Sequence, residues 1–195
     1  MRFVKITRKT IRMKTSRNLA VGTLFLFLFT SCLNNVNFNQ IEDLSAEQVV
    51  KSSIVFFTLN QFHFLTNNVE DRVITDVLPF SFLDNPYLID NLESAEIEFR
   101  INNQFNRDFT VDFEFLDENN VATLSFSTFN IASNNLNFVR KETILVSGNT
   151  QFLTSKKIRI IVNLLPSLDG SLLDPAINQT IKIRSAGTYY LKVKI

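Results

Sequence analysis

The chain contains very few of the residues from which most catalytic and metal sites are built. Its 195 residues include one Cys, one His, four Gly, four Pro and no Trp. A single Cys excludes an intrachain disulfide framework, and a single His excludes a His-rich metal site made by this chain alone. The isolated glycines form neither a phosphate-binding loop nor a Gly-x-Ser-x-Gly motif. We therefore predict that the protein is not an enzyme and holds no metal or cofactor.

What remains is the composition of one folded domain. Apolar residues make up 45% of the chain and 20 residues are Phe, whereas disordered chains are poor in aromatics. Seven of the 20 basic residues lie within residues 1–18, which hold no acid, so the other 13 stand against 19 acidic residues with a net charge of −6. An acidic body of this kind argues against nucleic acid as a partner.

The N-terminal region has the pattern of an export signal. Residues 1–18, which include seven basic residues and no acidic one, are followed by an uncharged apolar run. This run, residues 19–31, ends in small polar side chains. The run has 13 residues, whereas a membrane-spanning helix needs about 20. This length indicates a secretory signal that is removed on export. Met13 begins a signal of ordinary length, so translation from either Met1 or Met13 is consistent with the pattern.

The only Cys follows this run directly. Residues Phe29-Thr30-Ser31-Cys32 resemble the lipobox of bacterial lipoproteins, although Phe29 stands where Leu is usual. The resemblance implies cleavage between Ser31 and Cys32 and acylation of Cys32 by chains such as palmitate. Several acyl chains anchor a protein stably, whereas one anchors it only marginally. The alternatives are an ordinary signal peptide that is cut elsewhere and a buried free thiol.

The relaxed lipobox and the Cys-Leu-Asn-Asn-Val start resemble lipoproteins of Bacteroidota, and of flavobacteria in particular. The resemblance implies no activity, but it does imply a location in the cell envelope, with the outer membrane as the partner of the acyl chains. The predicted parts are a signal peptide (1–31), a polar tether (32–46) and a folded domain (47–195). Because the first acidic residue after Cys32 is Glu42, both the periplasmic leaflet and the cell surface stay open.

Alternating apolar and polar residues recur through the predicted domain. In residues 95–101 and 109–115, apolar side chains alternate with polar or charged ones, which is typical of antiparallel strands with one buried face. The alternation changes parity between Phe126 and Phe129, which predicts a β-bulge near residues 127–128. We also expect strands at 49–59, 138–146, 158–164, 180–184 and 189–195.

These patterns predict an all-β fold, namely a single antiparallel β-sandwich of about seven to eight strands. Short helical turns are expected near 85–92 and 150–154. Phe99, Phe113 and Phe126 are expected to face the core. From Cys32 onward there are 21 Asn and only three Gly, and we expect Asn to replace Gly in turns that need a left-handed backbone.

The titratable residues form no complete catalytic set. His63 lies between two Phe, which favours a structural imidazole. The pairs Glu96/Glu98 and Asp112/Glu114 are spaced i, i+2 and share one face of a strand, where cross-strand ion pairs are the ordinary outcome. They would nevertheless be the residues of a hydrolase with a carboxylate site.

The acidic loops are a weaker pattern. Asp117 begins one acidic loop, and Asp169 and Asp174 belong to another. Calcium needs six to eight oxygen ligands, and neither loop has the EF-hand spacing. We therefore interpret both as plain turns, with calcium as the alternative. The segment Lys182-Ile183-Arg184 is interpreted as the polar face of a strand.

One region breaks the alternation. Residues 60–94 show no strand pattern but keep several aromatics. A loop of this length inside a compact domain either covers the core or has a function. If it binds a partner, Phe80, Phe82 and Tyr87 are the candidate anchors, because aromatics dominate interface energetics.

Together these observations predict a lipid-anchored protein of the cell envelope with a non-catalytic binding or structural role, its partner an envelope protein or a glycan. One alternative is a surface carbohydrate-binding accessory protein. The other is a hydrolase with a carboxylate site.

Overall fold

The computed structural model describes residues 45–67 and 69–194. They form two antiparallel β-sheets packed face to face and a small two-stranded hairpin, which confirms the predicted all-β sandwich. The predicted signal peptide, its predicted cleavage site, the predicted acylation site Cys32 and the tether up to Leu44 lie outside the described residues. No helix within the described ranges is long and apolar enough to cross a membrane.

The first sheet has four strands and the second has five. In spatial order, the first sheet contains β1 (Ser45–Asn60), β11 (Thr180–Lys194), β5 (Leu92–Asn103) and β9 (Phe138–Leu145). The second contains β4 (Val73–Pro79), β10 (Lys157–Leu164) and β6 (Phe109–Leu116), followed by β7 (Ala122–Ser125) and β8 (Phe129–Ile131), which both pair with β6. The hairpin consists of β2 (Leu65–Thr66) and β3 (Val69–Glu70).

The helical segments are short. Helix α1 (Pro86–Asn91) begins after Asn85, whose side chain accepts a hydrogen bond from the Tyr87 backbone N–H, so the helical turn predicted near 85–92 is confirmed. A 3₁₀ turn at Thr150–Thr154 confirms the second. The remaining 3₁₀ turns are Gln61–His63, Phe82–Asp84 and Val146–Gly148.

The core lies between the inner faces of the two sheets and is built largely from Phe. Phe99 on β5 and Phe113 on β6 are fully buried, and their ring centroids are 4.4 Å apart. Phe126 is half-buried, with its ring centroid 5.5 Å from that of Phe99. All three residues therefore face the core, as the alternation predicts. The residues of β5 and β11 that alternate with the core-facing ones form the outer face of the first sheet.

Four details differ from the predicted strands. The region 60–94 contains an edge strand, β4, which shows no clear alternation because Val73 and Val77 are exposed on its outer side. The segments 180–184 and 189–195 belong to one continuous strand, β11. The parity change near 127–128 is a break between β7 and β8 rather than a bulge. The first strand begins at Ser45, four residues before its predicted start.

Asn residues occupy the left-handed turn positions. The backbone angle φ is 53° at Asn67, 63° at Asn120 and 53° at Asn134, and Gly170 has a φ of 74°. The short polar side chain of Asn tolerates this conformation better than most residues do. This confirms that Asn takes over part of the role of Gly in this chain.

The ring of Tyr189 fills space above a glycine on the same strand. Gly187 and Tyr189 both face the core from β11, and a Cβ at Gly187 would overlap the Tyr189 hydroxyl. The Tyr189 ring stacks on Phe82, with a centroid distance of 3.5 Å. Its hydroxyl is buried and has no hydrogen-bond partner among the described residues. Burial raises the pKa of the Tyr189 phenol.

We expect Tyr189→Phe to stabilise the fold by about 1 kcal/mol, because an unpaired buried hydroxyl is removed. The corresponding rise in Tm is about 2–4 °C for a chain of this size, measurable by thermal unfolding. The gain should grow above pH 10.0, the ordinary pKa of Tyr, because only the unfolded state then loses the proton readily. The control is Tyr190→Phe, whose ring is 41% exposed on the outer face. Equal effects of the two substitutions would contradict this account.

Candidate functional site

The candidate anchors of the region 60–94 are mostly core residues. Phe80 is 4% exposed, and its ring centroid lies 4.9 Å from that of Phe115. The prediction that Phe80 anchors a partner at the surface is therefore wrong. Phe82 is half-buried and its ring stacks on that of Tyr189, so the ring already packs within the fold. Tyr87 is 45% exposed and donates a hydrogen bond to Gln48 on β1 at 3.2 Å. These aromatics attach the segment to the sandwich, as expected for a covering loop.

His63 has a structural contact. Its Nδ1 accepts the Asn60 backbone N–H at 3.1 Å, and the Asn60 side chain accepts the Phe62 backbone N–H at 3.1 Å. The two side chains thus cap the 3₁₀ turn that follows β1. Within the described residues, the hydrogen bonds of His63 are with Asn60.

The two carboxylate pairs lie on opposite sides of the molecule. Glu96 and Glu98 project from β5 on the outer face of the first sheet, where Lys141 Nζ lies 2.8 Å from Glu96 and 3.6 Å from Glu98. A hydrogen bond from Arg100, with smaller contributions from its charge and from Lys141, lowers the pKa of Glu98.

The second pair projects from β6 on the outer face of the second sheet. Glu114 accepts a hydrogen bond from Arg159 Nε at 2.6 Å, and Asp112 accepts one from the Thr128 hydroxyl at 2.6 Å. The sandwich therefore separates the two pairs, and no cleft brings all four carboxylates together.

The acidic loops use their carboxylates locally. Asp117 accepts hydrogen bonds from the backbone N–H groups of Asn119 and Val121, each at 2.8 Å. Asp169 accepts them from the hydroxyl of Ser167 and the backbone N–H of Ser171. Asp174 accepts one from the Ala176 backbone N–H at 2.8 Å. Within the described ranges, no three or more His, Cys, Asp or Glu residues form a group that could hold a metal ion.

A buried ion pair holds three loops together at one end of the sandwich. Arg107 donates from Nη1 to Glu70 at 3.1 Å and from Nη2 to the Leu165 carbonyl at 2.6 Å. Only 7% of the Arg107 side chain and 3% of the Glu70 side chain are exposed. Glu70 also accepts the Leu173 backbone N–H at 2.8 Å. We call this set the Arg107–Glu70 clamp.

The clamp also sets the charge state of its carboxylate. Burial opposes ionisation of Glu70, but the hydrogen bonds from Arg107 and Leu173, the charge of Arg107 and a hydrogen bond from Arg72 outweigh it. The pKa of Glu70 is therefore lowered, which favours its ionised form. Because every one of these contacts is internal, the clamp is a structural element of the loops.

The outer face of the first sheet carries a basic groove of about 320 Å³. Its floor consists of neighbouring residues on β5 and β11, and one wall is formed by the segment that leads into β9. The cations are Arg100, Lys182 and Arg184. The uncharged polar side chains are Asn102, Gln104 and Asn137, and the exposed apolar ones are Leu136 and Val139.

The strand register brings the three cations together. Arg100 lies directly opposite Arg184, and Lys182 lies opposite Asn102. Side chains at directly opposite positions have Cβ atoms about 4.5–5.5 Å apart, and like charges there are destabilising. The positive charge of Arg100 is balanced by an ion pair with Glu98. Lys182 and Arg184 make no ion pair with any described residue.

Two further contacts shape the groove. The guanidinium carbon of Arg184 lies 5.1 Å from the ring centroid of Phe56 on β1, which is 65% exposed. Asn102 donates from Nδ2 to the Leu136 carbonyl at 2.8 Å. Its Oδ1 atom is buried and accepts no hydrogen bond from the described residues.

No protein-family model matches the chain, and no curated protein matches it. Among solved structures, the chain is similar to a candidate secreted protein from Parabacteroides distasonis, with 18% identity, 60% of this chain and 37% of the other covered, and a TM-score of 0.48. It is also similar to a protein of infectious bursal virus-derived particles, with 11% identity, 74% and 31% covered, and a TM-score of 0.39.

A third similar structure comes from the disulfide-linked pili of Bacillus endospore appendages, with 10% identity, 75% of this chain and 91% of the other covered, and a TM-score of 0.34. The chain thus spans about a third of the length of the first two proteins, 37% and 31%. At these identities and scores, the likenesses do not bear on function.

The groove is the feature that sequence reasoning missed. The pattern Lys182-Ile183-Arg184 correctly places both cations on the outer face of a strand. The contribution of Arg100, which is 84 residues away from Arg184 in the chain, depends on which strands pair and in what register. No local pattern carries that information.

Proposed function

We propose that the protein is a lipoprotein of the cell envelope, anchored in the outer membrane through acyl chains on Cys32, with a non-catalytic binding role. The observation that carries this proposal is the position of the only Cys, directly after an uncharged apolar run and Ser31. Residue 45 begins the compact sandwich, so a short segment separates the proposed anchor from the folded body.

The charged residues support a binding role over catalysis. His63 is engaged as a cap, and the carboxylate pairs are engaged in ion pairs and hydrogen bonds on opposite outer faces. A hydrolase with a carboxylate site uses two carboxyl groups that flank one substrate bond, whereas both pairs here are held by neighbouring cations or hydroxyl groups. Carbohydrate binding through Phe80 and Phe82 loses its basis because both rings are packed into the fold.

We expect the protein, expressed in a bacterium with an outer membrane, to incorporate labelled palmitate. Cys32→Ser should abolish the label, because the hydroxyl cannot take the place of the thiol in acylation. Mass spectrometry of the mature chain should identify Cys32 as the first residue and give a mass increased by the acyl chains.

The matched control is Ser31→Ala, which keeps a small residue before Cys32 and should leave the label unchanged. Equal incorporation in the Cys32→Ser variant, or a mature chain that begins at another residue, would overturn the proposal. These measurements read the chemistry of the anchor directly and do not depend on any binding partner.

A further inference from the structure

We propose that the basic groove on the outer face of the first sheet binds an acidic carbohydrate, namely sugars that carry a carboxylate or a phosphate ester. The inference deepens the proposed binding role and rests on it. It assigns the contact to Arg100, Lys182, Arg184 and Asn137, none of which belongs to the region 60–94.

The first argument is electrostatic. The body of the protein is acidic, yet its register places Arg100 directly opposite Arg184, with Lys182 two residues further along the same strand and face. Such a like-charge pair weakens a sheet, and departures of this kind from the rules of stability are typical of functional sites. Glu98 already pairs with Arg100, so a bound anion would accept charge-assisted hydrogen bonds chiefly from Lys182 and Arg184.

The second argument concerns the kind of anion. The amide side chains of Gln104 and Asn137 line the same groove as the cations. Amides both donate and accept hydrogen bonds, and so do sugar hydroxyl groups. One acidic sugar unit can therefore pair its charge with the cations and its hydroxyl groups with the amides.

The third argument concerns the apolar surface. Leu136 is 48% exposed and Val139 is 54% exposed at the edge of the groove, and the exposed ring of Phe56 lies under Arg184. The C–H faces of sugar rings pack on such surfaces, whereas a simple inorganic anion gains nothing from them. The combination of cations, amides and small apolar surfaces therefore fits an acidic sugar.

A flat anionic membrane fits the same cations less well. The outer face that carries the groove also carries Glu47 and Glu96, and both would be pressed against the lipid headgroups. Binding to a membrane surface is thus the competing outcome of the test.

The test uses the full mature protein, both acylated in detergent and as the Cys32→Ser variant. The probes are galacturonic acid oligomers and 6-phosphorylated mannose oligomers, with the neutral galactose and mannose oligomers as their counterparts. Inorganic phosphate and phosphatidylglycerol vesicles are the other two arms. We expect calorimetry to detect binding of at least one of the acidic oligomers and no binding of its neutral counterpart.

The variant Lys182→Gln/Arg184→Gln should weaken binding at least about tenfold, because it removes hydrogen bonds from two charged donors. The matched control is Lys192→Gln/Lys194→Gln, which removes the same charge from the same face of β11. Lys192 is about 27 Å from Arg184 along the strand, well beyond the screening length, so we expect a change of less than about twofold. Neither variant should lower the Tm of the parent protein, and Lys182→Gln/Arg184→Gln should leave it equal or raise it, because the like-charge pair Arg100–Arg184 is removed.

The inference would be overturned if neither acidic oligomer bound, if the two double variants weakened binding equally, or if the protein bound only to the vesicles. Tight binding of inorganic phosphate that matches the oligomers would also overturn it, because the sugar would then contribute nothing. If the Cys32→Ser variant binds like the acylated protein, the groove stands whether or not Cys32 is acylated.

Discussion

Replacing Arg107 with Met should lower the free energy of unfolding by about 3–5 kcal/mol, because breaking a buried ion pair leaves an uncompensated charge. Glu70 would keep its buried carboxylate, of which 3% is exposed, but lose the guanidinium 3.1 Å away. The Leu165 carbonyl would lose its donor as well. Urea unfolding followed by fluorescence or circular dichroism measures the loss.

The control is Arg72→Met. Arg72 also contacts Glu70, at 3.3 Å, but its side chain is 46% exposed. Exposed ion pairs contribute about 0–1 kcal/mol, so we expect a small effect. A loss at Arg107 no larger than that at Arg72 would contradict the view that the clamp holds the loops.

The clamp also predicts a dependence on pH. The pKa of Glu70 is lower in the folded state than its ordinary value of 4.5. Its ionised form therefore stabilises the fold above that pH, and this contribution is lost as the pH falls through the lower, folded-state pKa. In the Arg107→Met variant, the free energy of unfolding should consequently fall less on acidification than in the parent protein.

Replacing Phe113 with Ala should also cost about 3–5 kcal/mol, since a fully buried aromatic is removed and a cavity remains. Phe113 has no exposed surface, and its ring centroid lies 4.4 Å from Phe99 and 5.2 Å from Phe129. It therefore bridges the two sheets at the centre of the core. Thermal or urea unfolding gives the loss directly.

Phe62→Ala is the matched control, because the same side chain is 62% exposed in the turn after β1. We expect this substitution to change the free energy of unfolding by less than about 0.5 kcal/mol, as at most surface positions. A Phe113→Ala variant with the Tm of the parent protein would mean that β6 faces the opposite way.

The strands that could be predicted are those with one solvent-exposed face and one buried face. From Ala95 onward in β5 and up to Phe115 in β6, every second side chain is buried, so a local pattern of two residues is enough to assign these strands. Strand β4 could not be predicted from this alternation, because its outward-facing Val73 and Val77 are apolar although they are exposed. In an edge strand the burial of a side chain depends on what covers the edge, and the sequence of the strand does not record it.

The aromatic residues of irregular segments could not be assigned for a related reason. Phe80 and Tyr87 stand seven positions apart in the same non-alternating region, yet one is buried and the other is 45% exposed. Without a regular period there is no face to assign. The clamp and the groove join residues that are far apart in the chain, 37 positions in the case of Glu70 and Arg107, so both depend on the completed fold.

The pairing of the first and last strands has a mechanical consequence. β1 and β11 are joined by 15 registered residue pairs, from Ser45 opposite Lys194 to Asn60 opposite Thr180. A pull on Ser45 directed along β1 loads the hydrogen bonds of all these pairs in shear, so that they resist together instead of opening one after another like a zipper. β1, the first strand of the sandwich, is therefore well placed to carry tension from Ser45 into the sheet.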